Sequence, residues 1–328
     1  MEGSAEFPVR NHVLTGLDDH LFLFGGGQQQ FDFLLGNRVP GAKDVHNFFE
    51  NIARRTSFCG ARGIEYFHVV FPSKPVIVTD KLPPPYRDRV RSLFLSQYLA
   101  TRQGEAVDRL LYPHALLRVA GATNRVFRIL DTHMTDHGNL AVAEWLLLQL
   151  GLGYDAGRYF TQHTEALPGD LAAMLGLPTR LPEQRLKDQA APLYFDNRPF
   201  LPGNTNNVMV IHNSAARTKR RLLVFGDSFI KDGLRFYSPV FKDILFVRST
   251  TFHTDLVDLC APDVVLTSNA ERYLSTVGND ASAQSLLLAD FGERNARSEP
   301  FFEAFQAQLS WRHHRTAYDT WEKKIQRG

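Results

Sequence analysis

Cysteine is scarce in this chain of 328 residues. Only Cys59 and Cys260 are present, too few for a disulfide framework or for a zinc site built from thiolates. Each lies in an apolar neighbourhood, so we expect two buried free thiols, the usual state of unpaired cysteine.

An excess of charge of one sign is also missing. The chain has 37 basic and 35 acidic residues, which gives a formal net charge of +2 with histidine neutral. Nucleic-acid binding depends on a concentrated basic surface. The composition therefore predicts no nucleic-acid partner and no electrostatic funnel for an acidic substrate.

Long apolar runs are absent as well. The longest, from Leu140 to Leu150, is interrupted by Glu144 and Gln149, whereas a membrane-spanning helix needs about 20 apolar residues. The first eight residues show no basic region followed by an apolar one, so no signal peptide is recognised. These features predict a soluble, cytoplasmic protein.

What the chain does have is enough apolar sequence for a large core, at 44% of residues, and a regular alternation of strand and helix patterns. Apolar runs at 64–71, 221–225, 244–248 and 263–267 read as buried strands, with helical patterns between them. This order predicts an α/β fold with a mainly parallel sheet and helices on both faces. The stretch 153–207 is interrupted by glycine, proline and asparagine, and there we expect a loop-rich insertion with one short helix at 170–175.

The most informative stretch is Gly226-Asp227-Ser228, which follows the apolar run 221–225 and precedes a helical pattern at 229–237. A serine at such a strand–turn–helix junction can act as a nucleophile beside N–H groups that stabilise an oxyanion, provided that a base takes its proton. The alternative is that Asp227 or Ser228 only caps the helix.

A candidate base and its orienting acid lie upstream. We expect a strand at 126–130, from whose end Asp131 and His133, two residues apart, would project to the same side. Asp131 could then orient the imidazole towards Ser228. Two alternatives stay open: a metal site completed by His137, or an Asp131 that caps the helix starting at Asp136 beside a merely packed His133.

Asn269 follows another predicted strand, at 263–267, and falls on the same expected edge of the sheet. Its amide could donate to an oxyanion. It could equally cap a helix predicted at 270–276.

Several motifs, taken in order, resemble those of the alginate O-acetyltransferase AlgX/AlgJ group, a branch of the SGNH hydrolase superfamily. In ordinary SGNH hydrolases an Asp-x-x-His follows the serine, whereas here Asp-x-His precedes it. Met134 stands where the group has tryptophan. The matching segments are Gly16 to Leu23, Val69 to Lys74, Asp131-Thr132-His133, Gly169 to Ala172, Val224 to Phe229, and Pro262 to Leu274.

The resemblance implies an SGNH-like domain over residues 10–277, with the insertion at about 153–207, and leaves a helical extension at 278–328. Carried over by position, it makes Ser228 the nucleophile, His133 the base and Asp131 its orienter. Gly226 and Lys74, which fall within two of the motifs, join Asn269 as candidates for oxyanion or substrate binding. No metal is implied.

The activity implied is transfer of an acetyl group to a hydroxyl of a saccharide or glycan precursor through an acyl-enzyme. The acetyl donor would be a co-substrate, with no tightly bound cofactor. The resemblance also implies a possible membrane acetyl-transfer partner and, as an alternative location, the periplasm. A carbohydrate acetyl-esterase with the same triad and a non-catalytic glycan-binding or scaffolding protein are the other functions open to this sequence.

Overall fold

The computed structural model describes residues 7–102, 107–198, 201, 206–282, 285–286 and 299–327. These residues fall into two compact units, each built from three stretches of chain. The first unit lies within Met1–Phe48, Val69–Gln189 and Asn269–Val277. The second lies within Phe49–His68, Ala190–Ser268 and Gly278–Gly328.

Strands and helices alternate along the described residues. The strands are β1 (Val9–Arg10), β2 (Val13–Thr15), β3 (Leu21–Leu23), β4 (Glu65–Phe71), β5 (Leu110–Leu111), β6 (Phe160–Pro168), β7 (Arg180–Asp188), β8 (Leu193–Asp196), β9 (Val208–His212), β10 (Arg221–Gly226), β11 (Asp243–Arg248) and β12 (Val264–Ala270). The α-helices are α1 (Gln30–Leu34), α2 (Ala42–Gly60), α3 (Lys74–Ile77), α4 (Pro84–Arg87), α5 (His114–Gly121), α6 (Asp136–Gln149), α7 (Asp170–Met174), α8 (Ser228–Gly233), α9 (Thr254–Cys260), α10 (Glu299–Leu309) and α11 (Arg315–Ile325).

A seven-stranded sheet has the order β5-β4-β12-β10-β11-β9-β8. Strand β10 runs parallel to β11 and to β12, while β9 pairs antiparallel with β11 and β8 antiparallel with β9. All six residues of β10 are buried, as expected for a strand in the middle of a parallel arrangement. The expected SGNH-like α/β fold is confirmed, and its sheet is mixed, with antiparallel pairing towards one edge.

The strand expected at 126–130 does not form. Phe127 makes only an isolated antiparallel bridge to Met134, and the chain turns back on itself because Arg128 N donates to the His133 carbonyl at 3.2 Å and Thr135 N to the Val126 carbonyl at 3.0 Å. An apolar run alone does not distinguish a strand from a buried turn, since both exclude water from the same side chains.

The stretch 153–207 is more regular than the sequence predicts. Strands β6 and β7 form a long antiparallel hairpin, in register from Phe160 opposite Asp188 to Pro168 opposite Arg180. Most of its side chains are exposed and polar, so the apolar alternation that marks a half-buried strand is missing from the sequence. The short helix expected at 170–175 is confirmed as α7.

The expectation for the two cysteines is confirmed. Both Cys59 and Cys260 are free and buried, and burial raises the pKa of each thiol to about 12. As for membrane insertion, none of the helices in the described part of the chain has both the length and the apolar character to cross a bilayer.

The C-terminal helices of the second unit surround a buried carboxylate. Asp243, at the start of β11, is 1% exposed and accepts hydrogen bonds from His212 Nδ1 at 2.8 Å, Tyr318 Oη at 2.7 Å and Gln308 Nε2 at 3.3 Å. Two of these donors lie on α10 and α11. A buried charge needs such partners to offset its lost hydration, so Asp243 ties both helices to the strand.

Tyr318→Phe should therefore lower the free energy of unfolding by about 1–3 kcal/mol, because it removes a donor to a buried charged group and leaves the ring in place. Urea unfolding followed by circular dichroism measures the change. Tyr273→Phe is the matched control, since within the described residues its hydroxyl accepts from Arg272 Nη2 at the long distance of 3.4 Å, and it should change the value by less than about 0.5 kcal/mol. Equal effects of the two substitutions would contradict the role given to Tyr318.

Candidate functional site

Asp131 and His133 form a hydrogen-bonded pair in the first unit. Asp131 Oδ1 accepts from His133 Nδ1 at 2.7 Å and from the His133 backbone N–H at 2.9 Å. The carboxylate is buried, at 3% exposure, and the imidazole is partly buried. Because the ionised carboxylate only accepts, Nδ1 carries the proton and Nε2 is left as the basic nitrogen. This is the tautomer required of a general base oriented by an acid.

The second oxygen of Asp131 is also occupied. Arg128 Nη1 lies 2.8 Å from Asp131 Oδ2, and the Asp170 backbone N–H donates to the same atom at 3.2 Å. Burial by itself raises the pKa of Asp131, but the hydrogen bonds and charge of His133 together with the charge of Arg128 outweigh it and hold that pKa well below its ordinary value. Asp131 thus stays ionised beside the imidazole at neutral pH.

Lys74 binds the main chain around this pair. Its buried ammonium donates to the carbonyls of Leu21 at 2.7 Å, Arg128 at 2.6 Å, Ile129 at 2.8 Å and Asp131 at 3.0 Å. Four acceptors occupy all three N–H groups of a lysine. Burial lowers the pKa of Lys74 to about 7, against the opposing charges of Asp131, Asp170 and Glu183. These contacts favour a positioning role for Lys74, in place of the oxyanion or substrate contact predicted from the sequence.

The residue before Lys74 is anchored by a buried acid that the sequence analysis did not select. Glu271 is fully buried and accepts from the Ser73 backbone N–H at 2.8 Å, Ser92 Oγ at 2.5 Å and Tyr112 Oη at 3.1 Å, as well as from the Phe94 N–H at 3.0 Å. Burial raises the pKa of Glu271, and these donors oppose the rise. Glu271 therefore holds the segment from which Lys74 extends.

Gly226 and Ser228 lie in the second unit, where the predicted strand–turn–helix is confirmed. Strand β10 ends at Gly226, Asp227 caps the helix by accepting from the Phe229 N–H at 2.9 Å, and Ser228 is the first residue of α8. A Cβ on Gly226 would lie 2.2 Å from Ser268 Oγ and 2.6 Å from Ile230 Cγ2. Only glycine fits this turn, and the capping role belongs to Asp227 instead of Ser228.

Asn269 lies within β12 instead of after it, because the strand extends to Ala270. The helix expected at 270–276 is a 3₁₀ helix, Glu271–Ser275, whose N-cap is Ala270 with no side-chain cap. Asn269 is therefore not the cap of that helix. Its role as an oxyanion donor stays a prediction.

One group of side chains could present metal ligands within the described residues: Asp131, His133 and Asp170 offer atoms that all lie within 4.8 Å of one another. His137, the third ligand considered from the sequence, is not in this group. Arg128 already places a positive charge 2.8 Å from Asp131 Oδ2, which would repel a cation there. The contacts favour a hydrogen-bonded network, and metal-independence stays a prediction.

The lowered pKa of Asp131 predicts a pH-dependent contribution to stability. The carboxylate stabilises the fold above its unfolded pKa, near 3.8, and this contribution is lost as pH falls through the lower folded value. Asp131→Asn should thus reduce the free energy of unfolding by about 1–3 kcal/mol near neutral pH and by less at about pH 3. Urea unfolding at both pH values measures the difference.

Asp88→Asn, which alters an exposed carboxylate, is the control and should have little effect at either pH. If Asp131→Asn lowers the free energy of unfolding by the same amount at both pH values, Asp131 is not preferentially ionised in the folded chain.

Solved structures of similar fold include proteins from three bacteria. A DHHW family protein from Eubacterium siraeum matches with a TM-score of 0.57 at 15% identity, over 86% of this chain and 97% of the other. Bacillus cereus PatB1, solved with a sulfonyl adduct, matches with a TM-score of 0.56 at 12% identity, over 74% and 92%. The O-acetyltransferase domain of Pseudomonas putida AlgJ matches with a TM-score of 0.50 at 17% identity, over 87% and 99%. At these identities the matches establish a shared fold.

No curated protein matches the chain in sequence. A family model does: it describes the SGNH hydrolase-like domain of the acetyltransferase AlgX and matches residues 16–218. The matched region covers more than half of the chain and includes Lys74, Asp131, His133 and Asp170, and it ends before Ser228. The resemblance seen in the sequence motifs is confirmed, and the chain belongs to the AlgX-type SGNH hydrolase-like acetyltransferase family.

Proposed function

We propose that this protein transfers an acetyl group to a hydroxyl of a saccharide or glycan precursor through an acyl-enzyme on Ser228. Membership of the family supports O-acetyl transfer to polysaccharide in general. The observation that carries the finer proposal is the 2.7 Å hydrogen bond between His133 Nδ1 and Asp131 Oδ1. It leaves Nε2 basic and fixes the ring, which is what a serine nucleophile needs from its partner.

In the first half-reaction, the Ser228 hydroxyl oxygen attacks the acetyl carbonyl carbon of the donor while its proton passes to His133 Nε2. The tetrahedral intermediate collapses, the bond to the leaving group breaks, and that group takes the proton from the imidazolium. The products are acetyl-Ser228 and the deacetylated donor. The proposal requires that Nε2 come within hydrogen-bond reach of the Ser228 hydroxyl.

The second half-reaction repeats the cycle with the acceptor. A saccharide hydroxyl gives its proton to His133 Nε2 and attacks the acetyl-Ser228 carbonyl, after which the ester bond to serine breaks and serine regains the proton. Asp131 stays ionised throughout and stabilises the imidazolium. If water replaces the saccharide, the same residues act as an esterase. The two outcomes differ in how well water is excluded.

The remaining candidate residues have supporting roles in the proposed reaction. Asn269 is the proposed side-chain donor to the oxyanion, a type of contact that stabilises the developing charge. Gly226 keeps the turn before Ser228 free of a side chain.

The acetyl donor is a co-substrate, and no cofactor is tightly bound. A membrane partner that supplies acetyl groups stays a prediction. The cytoplasmic location, with the periplasm as its alternative, also stays a prediction.

Ser228→Ala should lower the rate of nitrophenyl acetate hydrolysis by at least about three orders of magnitude, and so should His133→Ala. The double variant should be little worse than either, because the two residues act as a unit. Ser214→Ala, which alters an exposed serine, is the control. Equal rates for wild type and Ser228→Ala would defeat the proposal.

A saccharide panel incubated with an acetyl donor then separates the functions, with acetylated product detected by mass spectrometry. Acetylated saccharide supports the transferase, free acetate alone indicates an esterase, and no donor turnover indicates a binding protein. Because PatB1 is known with a sulfonyl adduct, a sulfonyl fluoride is a suitable probe of Ser228, and the modified peptide identifies the serine. Activity that survives a chelator supports a metal-free mechanism.

A further inference from the structure

The Asp131–His133 pair has a third close neighbour that the proposed triad does not use. Asp170 is the first residue of α7, in the segment that connects strands β6 and β7 of the long hairpin. Its Oδ2 lies 3.5 Å from His133 Nδ1, the same nitrogen that Asp131 Oδ1 contacts at 2.7 Å. Two carboxylates therefore face one side of the imidazole.

Asp170 is fixed to this position through Thr132, the residue between Asp131 and His133. Its Oδ1 accepts from the Thr132 backbone N–H at 2.8 Å, and its Oδ2 accepts from Thr132 Oγ1 at 2.5 Å. Its own backbone N–H donates to Asp131 Oδ2 at 3.2 Å. Asp170 thus contacts all three residues of the Asp-Thr-His segment.

Packing holds Asp170 there independently of these hydrogen bonds. A Cβ on Gly169 would lie 1.9 Å from the Leu130 carbonyl oxygen, so the two backbones approach as closely as glycine permits. Beyond Asp170, Leu171 and Ala172 are fully buried in an apolar cluster with Leu130. The turn of α7 is consequently pressed against the residue that precedes Asp131.

Charged side chains from several neighbouring segments of the chain lie around His133. Asp131 and Asp170 are the acids that face the ring, Arg128 pairs with Asp131 at 2.8 Å, and the Lys74 ammonium binds the Asp131 carbonyl. Glu183 of β7 lies farther out, paired with Arg125 at 3.3 Å. Arg128 pairs with Asp131, and no ion pair in the described part of the chain joins Asp170 to a lysine or arginine side chain. Asp170 therefore adds a negative charge near the imidazole.

We infer that Asp170 is a second positioning residue of this site, which fixes the Asp-Thr-His segment and stabilises the protonated form of His133. The inference rests on the proposed function, in which His133 takes up a proton as Ser228 reacts. The negative charge of Asp170 favours the imidazolium, and its hydrogen bonds to Thr132 keep the ring from turning away from Asp131.

The pKa of Asp170 itself fits this arrangement. Burial and the charge of Asp131 raise it, and the Thr132 hydrogen bonds and the charge of His133 oppose the rise. A neighbouring imidazolium therefore favours the ionised form of Asp170, so the two groups stabilise each other's charge in the state formed during the reaction.

The test is the rate at which phenylmethylsulfonyl fluoride inactivates the full-length protein between about pH 5 and about pH 9, where an imidazole titrates. The serine oxygen–sulfur bond forms, the sulfur–fluorine bond breaks, and the serine proton passes to His133, so the rate requires the neutral ring. Asp170→Asn keeps the side-chain shape and removes the charge. The Asp170→Asn variant should be inactivated about tenfold more slowly. The acid limb of its pH–rate profile should lie at a pH lower by about half a unit to one unit.

Matched variants separate charge from anchoring. Asp170→Ser also removes the charge and can still bind Thr132, so it should show the same downward shift even if Asp170→Asn fails to fold, as judged by thermal unfolding. Asp170→Glu retains the charge and should keep the acid limb near the wild-type position. Asp88→Asn, at an exposed position, should leave the whole profile unchanged.

An acid limb that stays at the wild-type pH in both uncharged variants overturns the inference, and it leaves the proposed function intact if Ser228→Ala is not modified. Modification of Ser228→Ala as fast as wild type overturns the proposed function and this inference together.

Discussion

The buried ammonium of Lys74 is the contact on which the candidate site depends. The loop that carries Asp131 and His133 has no strand pairing beyond one isolated bridge, so its carbonyls need other partners if they are to leave water. Lys74 supplies them by binding the carbonyls of Arg128, Ile129 and Asp131 and also that of Leu21. A neutral side chain of the same length could not donate to four acceptors.

The anchoring of Lys74 shows why the neighbouring polar groups are buried with it. Glu271 accepts from the backbone before Lys74, and Arg128 pairs with Asp131 on the far side of the loop. Buried polar groups stabilise a structure only when each is satisfied. The network therefore gives the imidazole of His133 one orientation, at the cost of desolvating several charges.

Two glycines let neighbouring backbone pack closely against the loop that carries Asp131 and His133. A Cβ on Gly138 of α6 would lie 2.4 Å from the Val126 carbonyl oxygen, and one on Gly169 would lie 1.9 Å from that of Leu130. Neighbouring backbone therefore packs against this loop at Val126, just before the stretch that Lys74 binds, and at Leu130, within that stretch. A site that must orient an imidazole within a fraction of an ångström needs support of this kind.

The sequence by itself determined the α/β fold and the strand–turn–helix at Ser228, because buried strands leave local patterns. It also indicated the pairing of Asp131 with His133, but the structure forms that pair through a turn, in which Asp131 Oδ1 accepts from the His133 N–H, and not at the end of the expected strand. The sequence did not determine the β6–β7 hairpin, whose exposed polar strands carry no apolar alternation, or the bent backbone at 126–130. Only the tertiary structure showed that Lys74 binds carbonyls, that Glu271 anchors the segment before it, and that Arg128 and Asp170 contact Asp131. These partners lie up to 198 residues apart along the chain and meet only in the folded protein. No local pattern in a single sequence records which distant acceptor a buried donor will meet.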